Sequence, residues 1–320
     1  MNKVLVLTHE EDPHSQSVCN YLKNKGIDLF EVLTDKIITD YSLTFDLSRG
    51  TFLISDGRRT EKIDESWSIW NRRVMDPVLP KNIPKELEDI VFTETERTWQ
   101  SLLFSHKGKV VNRPQANFNA NNKLDQLIFV NEYGNGIKTP KTVLTNDPAC
   151  FLSFYSSTPV VSFKLLKAPI VKTGEDEDSY FTCYNNIVSE GHLKNAKLVR
   201  NNPSLFQEYI DKEYELRVTA LEDKVVGIRI DSQSSNLSKV DFRRYDFENV
   251  KYSYEDLPDN VTRFCHDIIN HYGLSFAELD LIRDKNGDYV FLELNPNGQW
   301  LWLELKSGYD LTKDVAENLL

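Results

Sequence analysis

Residues 276–300 read FAELDLIRDKNGDYVFLELNPNGQW. Apolar and polar residues alternate on both sides of Asn286 and Gly287, and this period of two is typical of half-buried strands. Asn-Gly is the strongest short signal for a hairpin turn. If these two residues form the loop, counting outward along both strands places Asp280 directly opposite Glu293. The stretch therefore predicts an antiparallel hairpin on which two acidic side chains face each other.

The opposed acids predict a metal site. Carboxylates directly across a strand pair repel each other, so the pairing is costly unless a cation lies between them. Asn295 falls on the same face, and carboxylates with an amide oxygen suit magnesium that is shared with nucleotide phosphates. The alternative is an exposed hairpin with solvated charges. The rigid, aromatic segment that follows, residues 296–302, favours the metal site.

Composition limits the function classes. The chain has 320 residues, enough for two or three subdomains, and a net charge of −11. That charge argues against a general nucleic-acid binder, although a local positive pocket for a nucleotide remains compatible with it. The four cysteines are scattered without paired spacing, which favours a reducing cytoplasm and no disulfide or zinc framework. We expect no signal peptide and no membrane span.

Strand and helix patterns predict three domains. Residues 1–115 alternate strand and helix, which implies an α/β domain with a parallel sheet. Residues 116–205 predict a small α+β unit that carries an acidic loop, and residues 206–320 predict a mostly antiparallel domain that contains the hairpin.

Several polar residues before the hairpin are candidates for nucleotide binding. Lys164 lies in an otherwise apolar strand, so it requires an anionic partner, either an internal carboxylate or a phosphate. Gln207 to Ile210 join the middle unit to the last third and could present backbone groups to an adenine edge. Glu215 could accept hydrogen bonds from ribose hydroxyls. Arg217 shares a strand face with Glu215, and Arg229 follows in the facing strand. These arginines are either site residues or members of a common cross-strand ion pair with an acid such as Glu215.

The order of these signals resembles the ATP-grasp ligase superfamily. Within it, the chain resembles the graspetide synthetases, the microviridin-type maturases that cyclise ribosomally made peptides through side-chain esters or amides. The similarity covers almost the whole chain and rests on five segments, of which the last is the most specific. They are Trp70-Asn71-Arg72-Arg73, Asn121-Asn122-Lys123-Leu124, Gln207-Glu208-Tyr209-Ile210, Asp241-Phe242-Arg243-Arg244 and the stretch from Leu292 to Trp302.

This resemblance implies an ATP-grasp fold, with a pre-ATP-grasp α/β domain before the two ATP-grasp subdomains, and it implies a role for each matching residue. Lys123 and Lys164 would contact ATP phosphates, and Gln207, Glu208, Tyr209, Ile210 and Glu215 would hold adenine and ribose. Asp280, Glu293 and Asn295 would bind two magnesium ions. Arg217, Arg229 and Arg243 would stabilise the transferring phosphoryl group. Arg72, Arg73, Asn297, Gln299 and the acidic loop Glu175, Asp176, Glu177 and Asp178 would contact the peptide, the loop as a docking surface for its leader.

The implied reaction activates an Asp or Glu side chain of a precursor peptide as an acyl phosphate and closes it onto Ser, Thr or Lys. The implied enzyme is a cytoplasmic homodimer. One departure from relatives is the loop after the strand lysine, residues 168–174, which has a single glycine.

Three points stay open at the level of sequence. No general base is evident: Asp241 is a candidate, but a core aspartate paired with Arg243 is at least as plausible. Within the same fold, an amino-acid ligase acting on a peptide or protein tail is the alternative enzyme. A catalytically inactive peptide-binding protein is disfavoured because all the expected metal ligands and both lysines are present.

Overall fold

The computed structural model describes residues 2–166, 170–172, 180–182 and 185–320, and its N-terminal third is built on a parallel sheet. The strand order is β2-β1-β6-β7, with β1 in the centre. Residues 4–7 of β1 are continuously apolar and buried on both faces, as expected for a central parallel strand. A separate antiparallel sheet of three strands, in the order β3-β4-β5, follows β2. The elements are β1 Lys3–Thr8, α1 Pro13–Asn24, β2 Asp28–Leu33, α2 Ile37–Asp40, β3 Ser42–Asp46, β4 Thr51–Ser55, β5 Thr60–Ile63, β6 Trp67–Asn71, α3 Glu88–Ser105, β7 Val110–Val111 and α4 Pro114–Ala120.

The middle of the chain forms a four-stranded sheet in the order β12-β9-β13-β8. We predicted that the last domain begins at residue 206, inside β13. This was wrong, because β13 pairs with β8 and β9 and so belongs to the middle sheet. The elements are α5 Lys123–Tyr133, β8 Thr142–Thr145, α6 Pro148–Ser157, β9 Val161–Lys164, β10 Ile170–Lys172, β11 Tyr180–Thr182, β12 Asn186–Ile187, α7 Glu190–Lys194 and β13 Ser204–Glu208.

The last third is an antiparallel sheet in the order β16-β15-β14-β17-β18. Helix α8 packs its apolar face on one side of this sheet, and α5 packs beside it through Leu127 and Val130. Helix α5 therefore contributes to the C-terminal core, although we assigned it to the middle unit. The elements are β14 Lys212–Leu221, β15 Val225–Ile230, β16 Tyr252–Glu255, α8 Asp259–Tyr272, β17 Phe276–Asp284, β18 Tyr289–Asn295, α9 Leu301–Ser307 and α10 Leu311–Glu317.

The hairpin of β17 and β18 has the predicted pairing of Asp280 with Glu293 but reaches it differently. Its turn contains three residues, because the Gly287 N–H donates to the carbonyl of Asp284 and Gly287 has a φ of 86°. A left-handed glycine at this place is typical of a three-residue hairpin loop. A β-bulge then leaves Leu292 unpaired, since Leu281 pairs with Phe291 while Asp280 pairs with Glu293. The bulge restores the register that a two-residue loop would have produced.

Candidate active site

The hairpin presents four polar side chains on one face. Asp280 lies opposite Glu293, and Glu278 lies opposite Asn295. Both positions of β17 also pair with β14, where Arg217 is opposite Asp280 and Thr219 is opposite Glu278. The strand alternation therefore gathers three carboxylates, an amide and an arginine in one small area.

Arg217 is shared by two of these carboxylates. Its Nε donates to Glu278 Oε2 at 3.0 Å and its terminal nitrogen NH1 donates to Asp280 Oδ1 at 2.6 Å. Burial raises the pKa of Glu278 to about 7 and that of Asp280 to about 6, because one guanidinium compensates each acid only in part. The pKa of Arg217 is raised in turn, since two carboxylates outweigh its own burial. We did not predict Glu278, although its spacing from Asp280 places both on the same strand face.

Glu293 is surrounded by cations. Lys123 Nζ lies 2.8 Å from Oε2 and an Arg243 terminal nitrogen lies 3.9 Å from Oε1. Burial alone would raise the pKa of Glu293, but Lys123, Arg243 and Lys164 outweigh it and hold the pKa below its usual range. Lys123 is placed here because Asn122 caps the helix directly before it. In this arrangement the lysines predicted to bind phosphates neutralise a predicted metal ligand.

A cleft of about 550 Å³ lies between the middle and C-terminal sheets. It is lined by Lys164, Gln207 to Ile210, Glu215, Asp280 and Glu293, so the structure brings together most of the residues predicted for the nucleotide and the metal. Lys123 and Asn295 line adjoining cavities. The N–H groups of Glu208 and Tyr209 already donate to the carbonyls of Lys141 and Val160. Ile210 has no such backbone partner among the described residues, so its N–H is the one available to an adenine edge.

The ribose candidate Glu215 is held by two neighbours. Its Oε1 accepts from Lys212 Nζ at 2.7 Å and from Ser232 Oγ at 2.8 Å. Lys212 lies almost fully buried in the same cleft, and nothing in its sequence context indicated it. The pair fixes the Glu215 carboxylate on the wall of the cleft.

Asp241 does not fit the role of general base. It accepts from the Nε and NH2 groups of Arg243 at 2.8 and 2.7 Å and from the N–H of Asn185 at 3.0 Å. These contacts overcome burial and lower its pKa, so it is a poor proton acceptor. The ion pair with Arg243, our alternative at the level of sequence, is the one found, and it directs Arg243 towards Glu293.

Two predicted arginines lie away from the cleft. Arg229 pairs with Leu216, which is on the opposite face of the sheet from Arg217, and it stacks 4.0 Å over the Tyr214 ring. Its predicted catalytic role was wrong. Arg72 is fully buried and binds Asp12 through Nε at 3.1 Å. It cannot contact a peptide; instead, its NH1 donates to the Gly298 carbonyl at 2.8 Å and holds the loop after β18.

Further cavities adjoin the cleft. One of about 630 Å³ is lined by Arg217, Arg243, Asn297 and Gln299, and a larger one of about 2240 Å³ shares Glu293 and Asn297 and reaches Arg73. A fourth, of about 1010 Å³, continues from Arg73 and Asn297 along α3. Of the predicted peptide contacts, Arg73, Asn297 and Gln299 therefore line this continuous space. The acidic loop Glu175 to Asp178 lies outside the described residues.

The donor set fits a magnesium ion that completes its shell elsewhere. Within the described residues, no group of three or more His, Cys, Asp and Glu side chains could hold a metal by itself. The site offers two opposed carboxylates and the Asn295 amide, and magnesium commonly keeps one or two carboxylates and takes other oxygens from phosphates and water. Over the same part of the chain, no helix has the length and apolarity to cross a membrane.

Comparisons with known proteins agree with this geometry. The family model of the RimK-like ATP-grasp domain matches residues 120–319, and that of the MvdD pre-ATP grasp domain matches residues 3–117. No curated protein matches the sequence.

Solved structures match over the whole chain. A RiPP-associated ATP-grasp ligase of Chryseobacterium gregarium, in complex with ADP and a leader and core peptide, has a TM-score of 0.89 at 23% identity, covering 100% of this chain and 96% of its own. Macrocyclase MdnB of Microcystis aeruginosa MRC has a TM-score of 0.78 at 26% identity, covering 100% of this chain and 99% of its own. ATP-grasp ligase PsnB, complexed with a phosphomimetic variant of a minimal precursor, Mg and ADP, has a TM-score of 0.78 at 19% identity, covering 100% of this chain and 97% of its own. These likenesses confirm the fold class that the sequence predicted.

Proposed function

We propose, from the premise that this chain belongs to the RimK-like ATP-grasp family, that it is a peptide macrocyclase. It would activate Asp or Glu side chains of a ribosomal precursor peptide with ATP and close them onto Ser or Thr as esters or onto Lys as amides. The resemblance to graspetide synthetases is confirmed at the level of the family, because an MvdD-type domain precedes the ATP-grasp domain. Substrate and bond type are our inference.

One observation carries the proposal. The opposed Asp280 and Glu293 both line the nucleotide-sized cleft and the adjoining cavity of about 630 Å³, and Glu293 also lines the space of about 2240 Å³ that continues past Asn297. An amino acid needs only a small closed pocket, whereas an extended peptide needs a long open groove. The continuity of the groove with the two acids therefore favours a peptide over a free amino acid as the second substrate.

ATP binding is distributed over this chain's own groups. The Ile210 N–H would bind the adenine edge, Glu215 Oε2 would accept from the ribose, and Lys164 would contact the phosphates; all three residues line the cleft. Burial lowers the pKa of Lys164, so an anion beside it is favoured. Asp280, Glu293 and Asn295 would hold magnesium, two ions in our proposal, which neutralises phosphate oxygens when bound.

The reaction then needs positioning and positive charge more than acid–base chemistry. A carboxylate oxygen of the peptide attacks the γ-phosphorus, the bond to the ADP oxygen breaks, and an acyl phosphate forms. Arg217 and Arg243 line the adjoining cavity and stabilise the negative charge that gathers there. A hydroxyl or amine of the same peptide next attacks the acyl carbon, loses its proton, and expels inorganic phosphate. Lys123, which now pairs with Glu293, would turn to a phosphate as Glu293 engages the metal.

The test is co-expression with each short open reading frame that neighbours the gene, followed by intact-mass measurement of the peptide. Ring closure removes one water per bond, whereas the alternative, an amino-acid ligase, adds residue mass. Treatment with mild base followed by a second mass measurement then separates esters, which open and regain one water, from amides, which do not. Consumption of ATP with mass gain would replace our proposal by the alternative. The absence of ATP-dependent modification of any of these peptides would refute the macrocyclase.

Leader recognition belongs to the same proposal. We place the leader at the acidic loop Glu175 to Asp178, because a negative segment suits a basic leader. Reversing the four charges should weaken leader affinity and spare ATP binding. An unchanged leader affinity would exclude the loop.

We further propose a homodimer, which works in the cytoplasm. Helix α3 and the turn before it expose the apolar side chains of Leu87 and Ile90, about one helical turn apart, and a partner chain could pack there. Ile90→Asp should then shift the mass measured by light scattering from two chains to one. The described cysteines, Cys19, Cys150 and Cys265, are free thiols, which suits a reducing compartment.

A further inference from the structure

Glu278 is a fully buried acid beside the site that the reaction proposed above does not use. Its Oε2 accepts from Arg217 Nε at 3.0 Å, and its Oε1 accepts from Thr219 Oγ1 at 2.7 Å. It has no exposed surface, whereas Arg217 lines the cavity next to the cleft. Glu278 therefore cannot touch a substrate, and any part in the reaction must pass through Arg217.

The loop after β18 closes over Glu278. A Cβ at Gly298 would lie 2.1 Å from Glu278 Cγ, so the backbone passes directly above the acid and only glycine fits. Arg72 holds the Gly298 carbonyl from the other side at 2.8 Å. Glu278 thus has one fixed position, and Thr219 fixes the rotation of its carboxylate.

Arg217 has two acidic partners, and only one of them can also bind a ligand in the cleft. Asp280 lines the cleft and is a predicted metal ligand, so a bound cation competes with the Arg217 guanidinium for its oxygens. Glu278 is sealed off from any ligand and binds a different nitrogen, Nε. The guanidinium therefore keeps its hydrogen bond to Glu278 when Asp280 exchanges its own for a contact with the cation.

We propose that Glu278 is a positioning residue. It holds Arg217 in place beside the cavity of about 630 Å³ when Asp280 binds the metal. This rests on the proposed ATP-dependent activity. Without Glu278, Arg217 would follow Asp280 or rotate freely, and its charge would no longer face the transferring phosphoryl group. Misplacing a charged group by about 1 Å commonly costs on the order of 100-fold in rate.

The test compares Glu278→Ala, Glu278→Gln and Thr219→Val, with Glu213→Ala as the matched control. Glu213 is an exposed acid on the same strand as Arg217 and pairs with Arg283. We expect Glu278→Ala to lower kcat for ring closure by roughly 10- to 100-fold while KM for ATP changes less than about 3-fold. Glutamine keeps an acceptor for Nε and should recover most of the loss. The kcat of Thr219→Val should lie between those of Glu278→Ala and Glu278→Gln, and the kcat of Glu213→Ala should match that of the wild type.

A second measurement needs no peptide. ADP with magnesium and aluminium fluoride mimics the transferring phosphoryl group, and its binding is read as the rise in Tm over ADP with magnesium alone. Glu278→Ala should lose that additional rise and keep the rise due to ADP, and its Tm without ligand shows whether it folds. If the wild type binds both ligands but closes no ring, the peptide chemistry proposed above fails while this measurement still decides the role of Glu278.

A double variant isolates the route through Arg217. Arg217→Gln with Glu278→Ala should lose no more activity, and no more of the aluminium fluoride response, than Arg217→Gln alone. Additive losses would mean that Glu278 acts independently of Arg217 and would overturn the proposal. It would also be overturned by a folded Glu278→Ala with wild-type kcat, or by equal loss of kcat and of ADP affinity. A wild type without any nucleotide response would refute the proposed function and this inference together.

Discussion

Replacing Asp280 with asparagine should stabilise the ligand-free protein while abolishing its activity. The pKa of Asp280 is raised from its ordinary value of 3.8 to about 6 by burial and by Glu293, despite Arg217. A displacement of that size corresponds to about 3 kcal/mol that the folded chain loses when this acid is ionised. An asparagine there offers its oxygen to Arg217 and its NH₂ to Glu293, so the uncharged side chain keeps both neighbours paired.

The expected gain depends on pH with a definite sign. An acid whose folded pKa is raised stabilises the fold below its unfolded pKa, and this contribution is lost as the pH rises through about 6. The wild type is therefore at a disadvantage at pH 8, where Asp280→Asn should gain about 1–3 kcal/mol, or roughly 2–6 °C in Tm. Near pH 4 the wild-type acid is already protonated, and the two proteins should unfold together.

The assay is thermal unfolding from pH 4 to pH 8, with and without ADP and magnesium. Asp211→Asn is the control, because that acid forms an exposed pair with Lys285 and should leave Tm unchanged at every pH. The ligands should raise the Tm of the wild type much more than that of Asp280→Asn, whose ring closure should fall by roughly 100-fold or more. A lower Tm for Asp280→Asn at pH 8 would refute the reasoning, since the pair with Arg217 would then outweigh burial.

Three further outcomes are expected. Glu293→Gln should lower both Tm at pH 7 and activity, because the Glu293 carboxylate interacts with three cations. An acid whose folded pKa is lowered stabilises the fold above its unfolded pKa, about 4.3, and this contribution is lost as the pH falls. The difference in Tm should therefore vanish in strong acid. Glu215→Gln should raise KM for ATP by roughly 10-fold and change kcat little, because a charge-assisted hydrogen bond to the ribose contributes about 1.5–3 kcal/mol; the measurement is initial rate against ATP concentration. Arg229→Ala should keep wild-type kcat, because this side chain lies on the far face of the sheet; a large loss would contradict that placement.

The hairpin acids could be predicted because strand alternation is local. Any strand that contains Asp280 has Glu278 on the same face, and the partner strand places Glu293 and Asn295 together for the same reason. The pairing itself was reached through two compensating errors, since the real loop is one residue longer and the bulge at Leu292 cancels it. Arg229 could have been excluded by the same local counting. With Glu222 and Asp223 as the two loop residues of the hairpin between β14 and β15, Arg229 falls opposite Leu216, on the other face of the sheet from Arg217.

What the sequence determined by itself was the set of chemical groups and the order in which they follow: two opposed acids, an amide, two lysines and the segment from Gln207 to Ile210. Their function as one site was decided by the tertiary structure, which packs the middle and C-terminal sheets around one cleft. Burial separated Arg72 from Arg73 and made Glu278 a partner of Arg217 rather than a surface acid. The physical reason is that alternation and turn signals depend on neighbours along the chain. Burial, pKa and cavity continuity depend on residues distant in sequence, and only packing brings those together.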